Sequence, residues 1–473
     1  MVGLRDQDLY SVDRSICSAC CQHPLPSGPR LNPVIATRVF SATEQGLAAL
    51  NKTSENATEK SQLQLTRQFA VRWLSSTDEN QARVSPLDQY ESRCDEEGVP
   101  VFKHTDNDIA DRGNLWQPRI GLVGAATGFG LGHQNFDIAL KLGIDRWLIR
   151  GTTSKNSAAP PCRIDAVGRD LSPIEMEAWL SDLDAMLFVE RPVFPGITRI
   201  ARQMGVSVAC VPNWEWLHPG LDWLNDVDVM LCPTHYTTTM MLDWKQRFEF
   251  QWEAVHISWP IDLRRFEFRA RTNCRRFVYI NGSGGATAVI TDGSGARLRR
   301  KGLDVLLAAA RSIPEIPIVV YASPSDVNSL PVNVELRDLP EDNRSLYRDG
   351  DVCIQPSHWE GLGLPLLECQ AAGMPLITTD APPMHEHRPL AVIPAELITA
   401  NLTADLCIPA ARIEPENLAA VLKSVYNRPI ASQSRQARQF IEREHGWEKA
   451  GPKIREHIRN AVNSFGRRPA GER

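Results

Sequence analysis

No apolar run in this chain of 473 residues approaches the ~20 needed to cross a bilayer. The opening MVGLRDQDLYSVDR has no apolar stretch after its charges, as a secretory signal would. A basic excess is missing too: the formal net charge is −5, whereas phosphate-backbone binding calls for a clear surplus of Lys and Arg, so nucleic acid is not the expected partner. Nor is there a disulfide framework. The eleven cysteines are scattered and odd in number, and Cys210, Cys232 and Cys353 fall in strand-like apolar runs. That is the pattern of buried free thiols in a reducing cytoplasm, which is the expected location, with peripheral membrane contact left open. The sequons at Asn51 and Asn56 mean nothing without export. What is present is ordinary for a globular protein, 42% hydrophobic and 23% charged residues, with length for two or three domains that each hold a core.

The texture changes along the chain. Residues 1–117 are rich in Ser, Thr, Gln and Asn and include loop-like pieces such as HPLPSGPRLNP. They read as an irregular, partly disordered N-terminal extension, with one amphipathic helix expected over SQLQLTRQFAVRWL. From residue 118 short apolar runs alternate with helical segments. RIGLVG is followed by the glycine-rich ATGFGLGH and then NFDIALKLGI, a strand, loop and helix in succession, and RWLIRG, AMLFVER, VSVACVP and VDVMLCP are further strands. A second series runs through RRFVYING, GLDVLLAAARSI, IPIVVYAS, DVCIQPS, GLPLLECQAAG, PLITTD and PENLAAVLKSVYN, with WPIDLRRFEFRART as the linker between the series. Strands alternating with helices predict a parallel sheet covered on both faces. The expectation is therefore two α/β halves, 118–265 and 266–430, with a ligand cleft between them. Residues 431–473 are expected to be helical, packing back on the first half and ending in a disordered tail.

The chemistry concentrates in DVCIQPSHWEGLGLPLLECQAAGMPLITTD. A buried strand ends at Ile354–Gln355, and Pro356 and Ser357 open a loop. Gly361 and Gly363 let the backbone come close to a bulky ligand. Pro365 sits in the first helical turn, where its missing N–H costs nothing. The helix N-terminus then turns free N–H groups and partial positive charge on the loop, an anion site fit for a phosphate or diphosphate. Glu360 in the loop and Glu368 one turn into the helix cannot both face phosphate, and suit sugar hydroxyls instead. The alternative is a loop charge and a helix-surface charge.

EGLGLPLLE, with PS before it and AAGMPLI after it, resembles the E-x7-E motif of family 4-type retaining glycosyltransferases of the GT-B fold. The resemblance covers roughly residues 119–460 and is strongest over 299–386. It implies two Rossmann-like domains facing each other across a cleft, the first for the acceptor and the second for the nucleotide-sugar donor. In the second domain it implies ribose binding by Glu368, Glu360 beside the donor sugar and α-phosphate, and donor contacts from Gly361, Leu362, Gly363 and Leu364. RRKGLDVLLAA resembles the family's Lys-Gly element at the first helix of that domain, so Lys301 would neutralise the departing diphosphate. A cation at a helix start opposes the macrodipole unless an anion sits between them. The family often places an arginine after the glycine equivalent to Gly282. Here Ser283 stands there, and Arg297, Arg299 or Arg300 is the substitute, with Arg300 the one expected to contact the donor. Glu386 in DAPPMHEHRP fits the loop glutamate that the family carries after the next strand, and His385 and His387 read as contacts or bystanders.

The first half carries weaker signals. The loop from Gly124 to His133 resembles the family's first glycine loop, which implies donor contacts from Gly130 and Gly132 and a sugar or acceptor contact from His133. It is not G-x-G-x-x-G in register, and the second strand ends in Arg150 rather than an acidic residue, which disfavours NAD but leaves an NADP-dependent oxidoreductase as the alternative. The histidine that many relatives place beneath the donor sugar is missing: Asn213, Trp214 and Glu215 stand there, and Glu215 either takes a related role or serves packing. D-x-D triplets of the kind that hold a divalent cation occur at Asp182–Asp184 and Asp226–Asp228, but Asp226 and Asp228 run straight into the strand VMLCP and read as strand entry, so no catalytic metal and no cofactor is expected. Cys17, Cys20, Cys21 and His23 lack a second ligand pair of zinc-site spacing, Cys94 and His104 being the nearby candidates. The functional expectation is transfer of a sugar from a nucleotide-diphosphate donor to a hydroxyl of a glycan, lipid or small molecule, with retention of configuration. Glu360 and Lys301 are its catalytic residues. A GT-B protein that binds the donor without turnover is the non-enzymatic alternative.

Overall fold

A computed structural model describes residues 117–466 apart from 127, 152–161, 283–287, 328, 341–342 and 403–406. The extension expected over 1–117, its helix, the Cys17–His23 cluster, Ser283 and the C-terminal tail lie outside the described residues, except for Gln117.

The first half runs β1 (Ile120–Val123), α1 (His133–Lys141), β2 (Arg146–Arg150), β3 (Arg163–Val167), α2 (Pro173–Leu180), β4 (Ala185–Val189), α3 (Ile197–Gln203), β5 (Ser207–Val211), β6 (Val229–Cys232), α4 (His235–Phe248) and β7 (Glu253–His256). The seven strands form one parallel sheet in the order β3-β2-β1-β4-β5-β6-β7. β1, β4, β5 and β6 are buried along their whole length, as strands covered on both faces must be, so their residues read as continuous apolar runs. Local signals set the helices. Ser172 and Glu175 close a capping box around Pro173 at the start of α2, satisfying two of the free N–H groups there.

The second half runs β8 (Phe277–Ile280), β9 (Val289–Thr291), β10 (Arg297–Arg299), α5 (Leu303–Arg311), β11 (Ile318–Tyr321), β12 (Val334–Arg337), β13 (Val352–Gln355), α6 (Leu364–Ala371), β14 (Leu376–Thr379), β15 (Ala391–Ile393), β16 (Ala395–Asn401), β17 (Cys407–Ile413) and α7 (Pro415–Val425). Six strands build a second parallel sheet, β12-β11-β8-β13-β14-β15. In both sheets the first strand of the half lies inside, and chain order reverses beside it, between β1 and β4 and between β8 and β13. The loops leaving the carboxyl ends there diverge and open a crevice.

One feature differs from the sequence expectation. β10, β9, β16 and β17 form a separate antiparallel sheet, which the sequence did not reveal because its halves are over a hundred residues apart and Thr291 pairs with Asn401. The C-terminal helical segment is two helices, α8 (Ala431–Glu444) and α9 (Trp447–Gly466). The chain breaks at His445 and Gly446, where His445 Nδ1 meets the Trp259 carbonyl oxygen at 2.8 Å. α9 packs on β5 and β6 of the first sheet. Ile454 and Ile458 share one buried cluster with Val211, Leu231, Leu366 and Ile441, so the C-terminus ties the two halves together.

Candidate active site

The loop after β13 is built by a glycine-dependent approach. Gly302 caps α5 with φ of +68°, and a Cβ there would overlap the Pro356 carbonyl oxygen. No other residue lets the start of α5 come this close to the loop that follows β13. The His358 N–H bonds the Arg300 carbonyl at 2.9 Å, locking the two segments side by side. As a result Lys301 Nζ donates to Glu360 Oε1 at 2.5 Å, Ser357 Oγ donates to the same oxygen at 2.7 Å, and Arg300 Nη2 donates to Oε2 at 2.9 Å. Glu360 is 1% exposed and Lys301 8%. Burial disfavours the Glu360 charge, but Lys301 and Arg300 outweigh it and hold the carboxyl down at about 2. Burial draws Lys301 below its ordinary value despite the pull of Glu360. The cluster sits where α6 begins, capped by Gly363 with Pro365 in its first turn.

Glu368 lies within α6, 4% exposed. Asn343 Nδ2 donates to its Oε1 at 2.9 Å and the Tyr347 hydroxyl to its Oε2 at 2.6 Å. Burial pushes the carboxyl up to about 7 against these two donors. It lines a small cleft with His133, Gln134, Asp137, Arg265 and Leu364. Arg265, from the linker, spans that cleft: it donates to Asn343 Oδ1 at 2.7 Å on one side, and on the other meets His133 Nδ1 at 3.0 Å and Asp137 at 3.3 Å. Burial raises Asp137 to about 6 despite Arg265. His133 is thus placed at the Glu368 end of the crevice, with Gly130 and Gly132 in the single π-helical turn before it. Leu362 is buried, and its carbonyl accepts from His387 Nε2 at 3.2 Å. Gly282 ends the segment after β8 with positive φ.

The first half faces this centre with the turn after β5. Arg300 Nη2, already on Glu360, also donates to Glu215 Oε1 at 2.7 Å, and its guanidinium lies over the Trp216 ring at 5.6 Å. The Glu215 carboxylate rests against the α-carbon of Gly361, where any Cβ would overlap it. Of the three candidate arginines, Arg300 reaches the centre, while Arg299 donates to the Asp326 carbonyl. Glu386 is occupied otherwise. Its two oxygens accept the N–H groups of His235 and Tyr236 at 2.8 Å, so it binds the N-terminus of α4 across the halves, where a carboxylate is favoured. The antiparallel sheet covers the cluster. Ile290, Leu298, Ala400, Ile408 and Ala410 pack on Trp359 and on Trp214 of the first half, and β17 is stitched to the loop through His358 Nδ1 and the Ala411 carbonyl at 2.6 Å.

Elsewhere the carboxylate pairs serve the fold. Asp226 accepts from Thr198 Oγ1 at 2.9 Å, and Asp228 from Ser207 Oγ and the Val208 N–H. Arg150, which kept the NADP reading open, pairs with Asp170 at 3.1 Å. Among the described residues no three potential ligands converge on a metal position, and the described cysteines are free thiols. Sequence reasoning missed Arg265, Asn343, Tyr347 and Ser357. Ser357 lies inside the motif, and its spacing of three from Glu360 was the available signal. The others come from segments without periodicity.

Residues 288–407 match the family of glycosyl transferases group 1. The matched segment contains Arg300, Lys301, Glu360, Glu368 and Glu386. Among curated proteins none matches the chain. Solved structures share its fold: a glycosyltransferase from Rickettsia africae ESF-5 (TM-score 0.52, 13% identity) covers 73% of this chain with 99% of its own length. The Anabaena protein HepE, solved with UDP and glucose, has a TM-score of 0.52 at 10% identity and covers 72% of this chain with all of its own length. The architecture is the GT-B arrangement of two Rossmann-like domains. No helix among the described residues is long and apolar enough to cross a membrane.

Proposed function

We propose that this chain transfers a sugar from a nucleoside-diphosphate donor to an acceptor hydroxyl with retention of configuration, in the cytoplasm and without a metal or other cofactor. The carrying observation is the buried Lys301–Glu360–Arg300 cluster at the start of α6. Two fixed cations and a helix N-terminus converge where a strand-order reversal opens the sheet, an arrangement that binds a diphosphate and stabilises it as it leaves. Glu368, held by Asn343 and Tyr347, takes the ribose, and Glu360 orients the sugar end so that Lys301 and Arg300 turn to the phosphates. Gly361 to Leu364 supply backbone contacts, with Gly282, Gly130 and Gly132 approaching the donor from the neighbouring loops. The HepE structure with UDP and glucose makes a UDP-sugar the first donor to try. The acceptor is a glycan, a lipid or a small molecule bound by the first half.

The test is sugar release from UDP-glucose, UDP-N-acetylglucosamine and GDP-mannose by the purified chain, with thermal shift against each. Glu360→Ala and Lys301→Ala are expected to slow release at least about tenfold, a loss of roughly 1.4 kcal/mol at the transition state, and EDTA is expected to leave the rate unchanged. Wild-type rates in both variants would remove the site assignment. Donor binding without release, whatever acceptor is added, would instead mark a binding protein, and a shift with NADPH alone an oxidoreductase.

A further inference from the structure

Glu190 was not singled out by the sequence, yet it occupies the reversal point of the first sheet. It follows β4, the neighbour of β1 where the strand order turns, so it stands at the mouth of the crevice that the glycine loop also borders. Its N–H still bonds the Val211 carbonyl at 2.9 Å, as the last rung of the ladder. Its φ is nonetheless +68°, a left-handed conformation that strains a residue with a side chain and that gathers at functional sites. The side chain is half-buried. Asn213 Nδ2 reaches its Oε2 at 3.5 Å. Two atoms of this group, Asn213 Oδ1 and Glu215 Oε2, are buried without a hydrogen-bond partner, in side chains 9% and 3% exposed. Buried polar atoms of this kind call for a ligand or a water. The same Glu215 touches Gly361 and Arg300 of the opposite half.

On the second half the cations Arg300 and Lys301 outnumber the Glu360 carboxylate they share, whereas on the first half Glu190 and Glu215 outnumber Arg191. Breaking a glycosyl–phosphate bond separates charge in the same sense, negative on the departing diphosphate and positive on the oxocarbenium-like sugar. Resting on the function proposed above, we infer that Glu190 is a further catalytic residue. Its carboxylate faces the transferred sugar from the first half and stabilises the positive charge at the anomeric carbon, while Asn213 and Glu215 bind the sugar hydroxyls. Burial first, then the Glu215 carboxylate, pushes Glu190 up to about 7 against Arg191, Asn213 and Arg300, and the Cys210 thiol is a further titratable neighbour. A carboxyl with a raised pKa is protonated below it, so the active carboxylate form grows as pH rises through about 7.

The experiment uses the full chain with UDP-glucose and GDP-mannose as probes and water as acceptor, which requires no knowledge of the natural acceptor. Glu190→Gln is expected to bind the donor within about twofold of wild type by calorimetry. It should release sugar at least about a hundredfold more slowly and lack the rising limb near pH 7. In Glu190→Ala, added formate should restore part of the rate by filling the place of the lost carboxylate. A Glu190→Gln rate equal to wild type overturns the inference. So does a lost rate that keeps the wild-type pH profile and resists formate, since that marks a structural role. A wild-type chain that neither binds nor cleaves either probe fails at the donor assignment itself, a failure seen before any variant is made.

Discussion

At the scale of single residues the site is governed by how burial is balanced by partners. Glu360 and Glu368 are both buried carboxyls of one motif, yet they titrate in opposite directions. Two cations bonded to Glu360 hold it at about 2, whereas Glu368 is bonded by the neutral donors Asn343 and Tyr347, with Arg265 acting only from a distance, and burial pushes it up to about 7. The linkage follows from the sign. Glu360 stabilises the fold above the ordinary carboxylate range and loses that contribution as pH falls towards about 2. Glu368 keeps its proton in the fold after the unfolded chain would have released it, so its contribution is complete in acid and is lost as pH rises through about 7. Glu368→Gln removes that loss. The stability of Glu368→Gln relative to wild type, followed through Tm, is expected to grow from pH 5 to pH 8 by an amount on the order of 3 kcal/mol. Parallel Tm–pH curves would refute this assignment.

At the scale of elements, helix ends and loops join the two halves. The Glu386 carboxylate on the first N–H groups of α4 is a cap supplied from 150 residues away. Replacing it with alanine is expected to cost about 1 kcal/mol, within the range for lost N-caps, read as a lower urea midpoint. Because α4 also carries Tyr236 and Met240 beside the Trp214–Trp359 cluster, the same change should loosen the cover over Arg300. Amide exchange on residues 235–240 is the direct check, and unchanged protection there would assign the cap no role beyond the loop that holds Glu386. The antiparallel sheet joins segments far apart in the chain: the short strands β9 and β10 meet the longer β16 and β17 through the pairing of Thr291 with Asn401.

At the scale of the molecule, the C-terminus is part of the architecture rather than an appendage. The buried Phe440, Ile441, Trp447, Ile454 and Ile458 cluster with side chains of both halves, and burying each large apolar side chain contributes about 1.5–3 kcal/mol. Ending the chain after Glu444 is therefore expected to yield insoluble protein, or a chain that exposes apolar surface and binds a hydrophobic dye. The conservative check is Ile458→Ala, with an expected cost of about 2–5 kcal/mol from the cavity it leaves, read as a lower urea midpoint.

The sequence by itself determined the glycine–proline loop after β13 and the class of fold. Glu360, Glu368, Gly363 and Pro365 lie within nine residues on one strand–loop–helix unit, and the backbone preferences of glycine and proline set that unit locally. The alternation of apolar strands with amphipathic helices likewise fixed two parallel sheets, because a strand buried on both faces leaves no other composition. Tertiary structure decided what faces what. That Arg300 and not Arg297 or Arg299 reaches Glu360, that Glu386 caps a helix of the other half, that Glu190 stands beside Asn213, and that four short strands pair over the cluster all depend on contacts between segments remote in the chain. No local periodicity carries that information, since such a contact exists only once both sheets have formed and their reversal points have been brought to a common crevice.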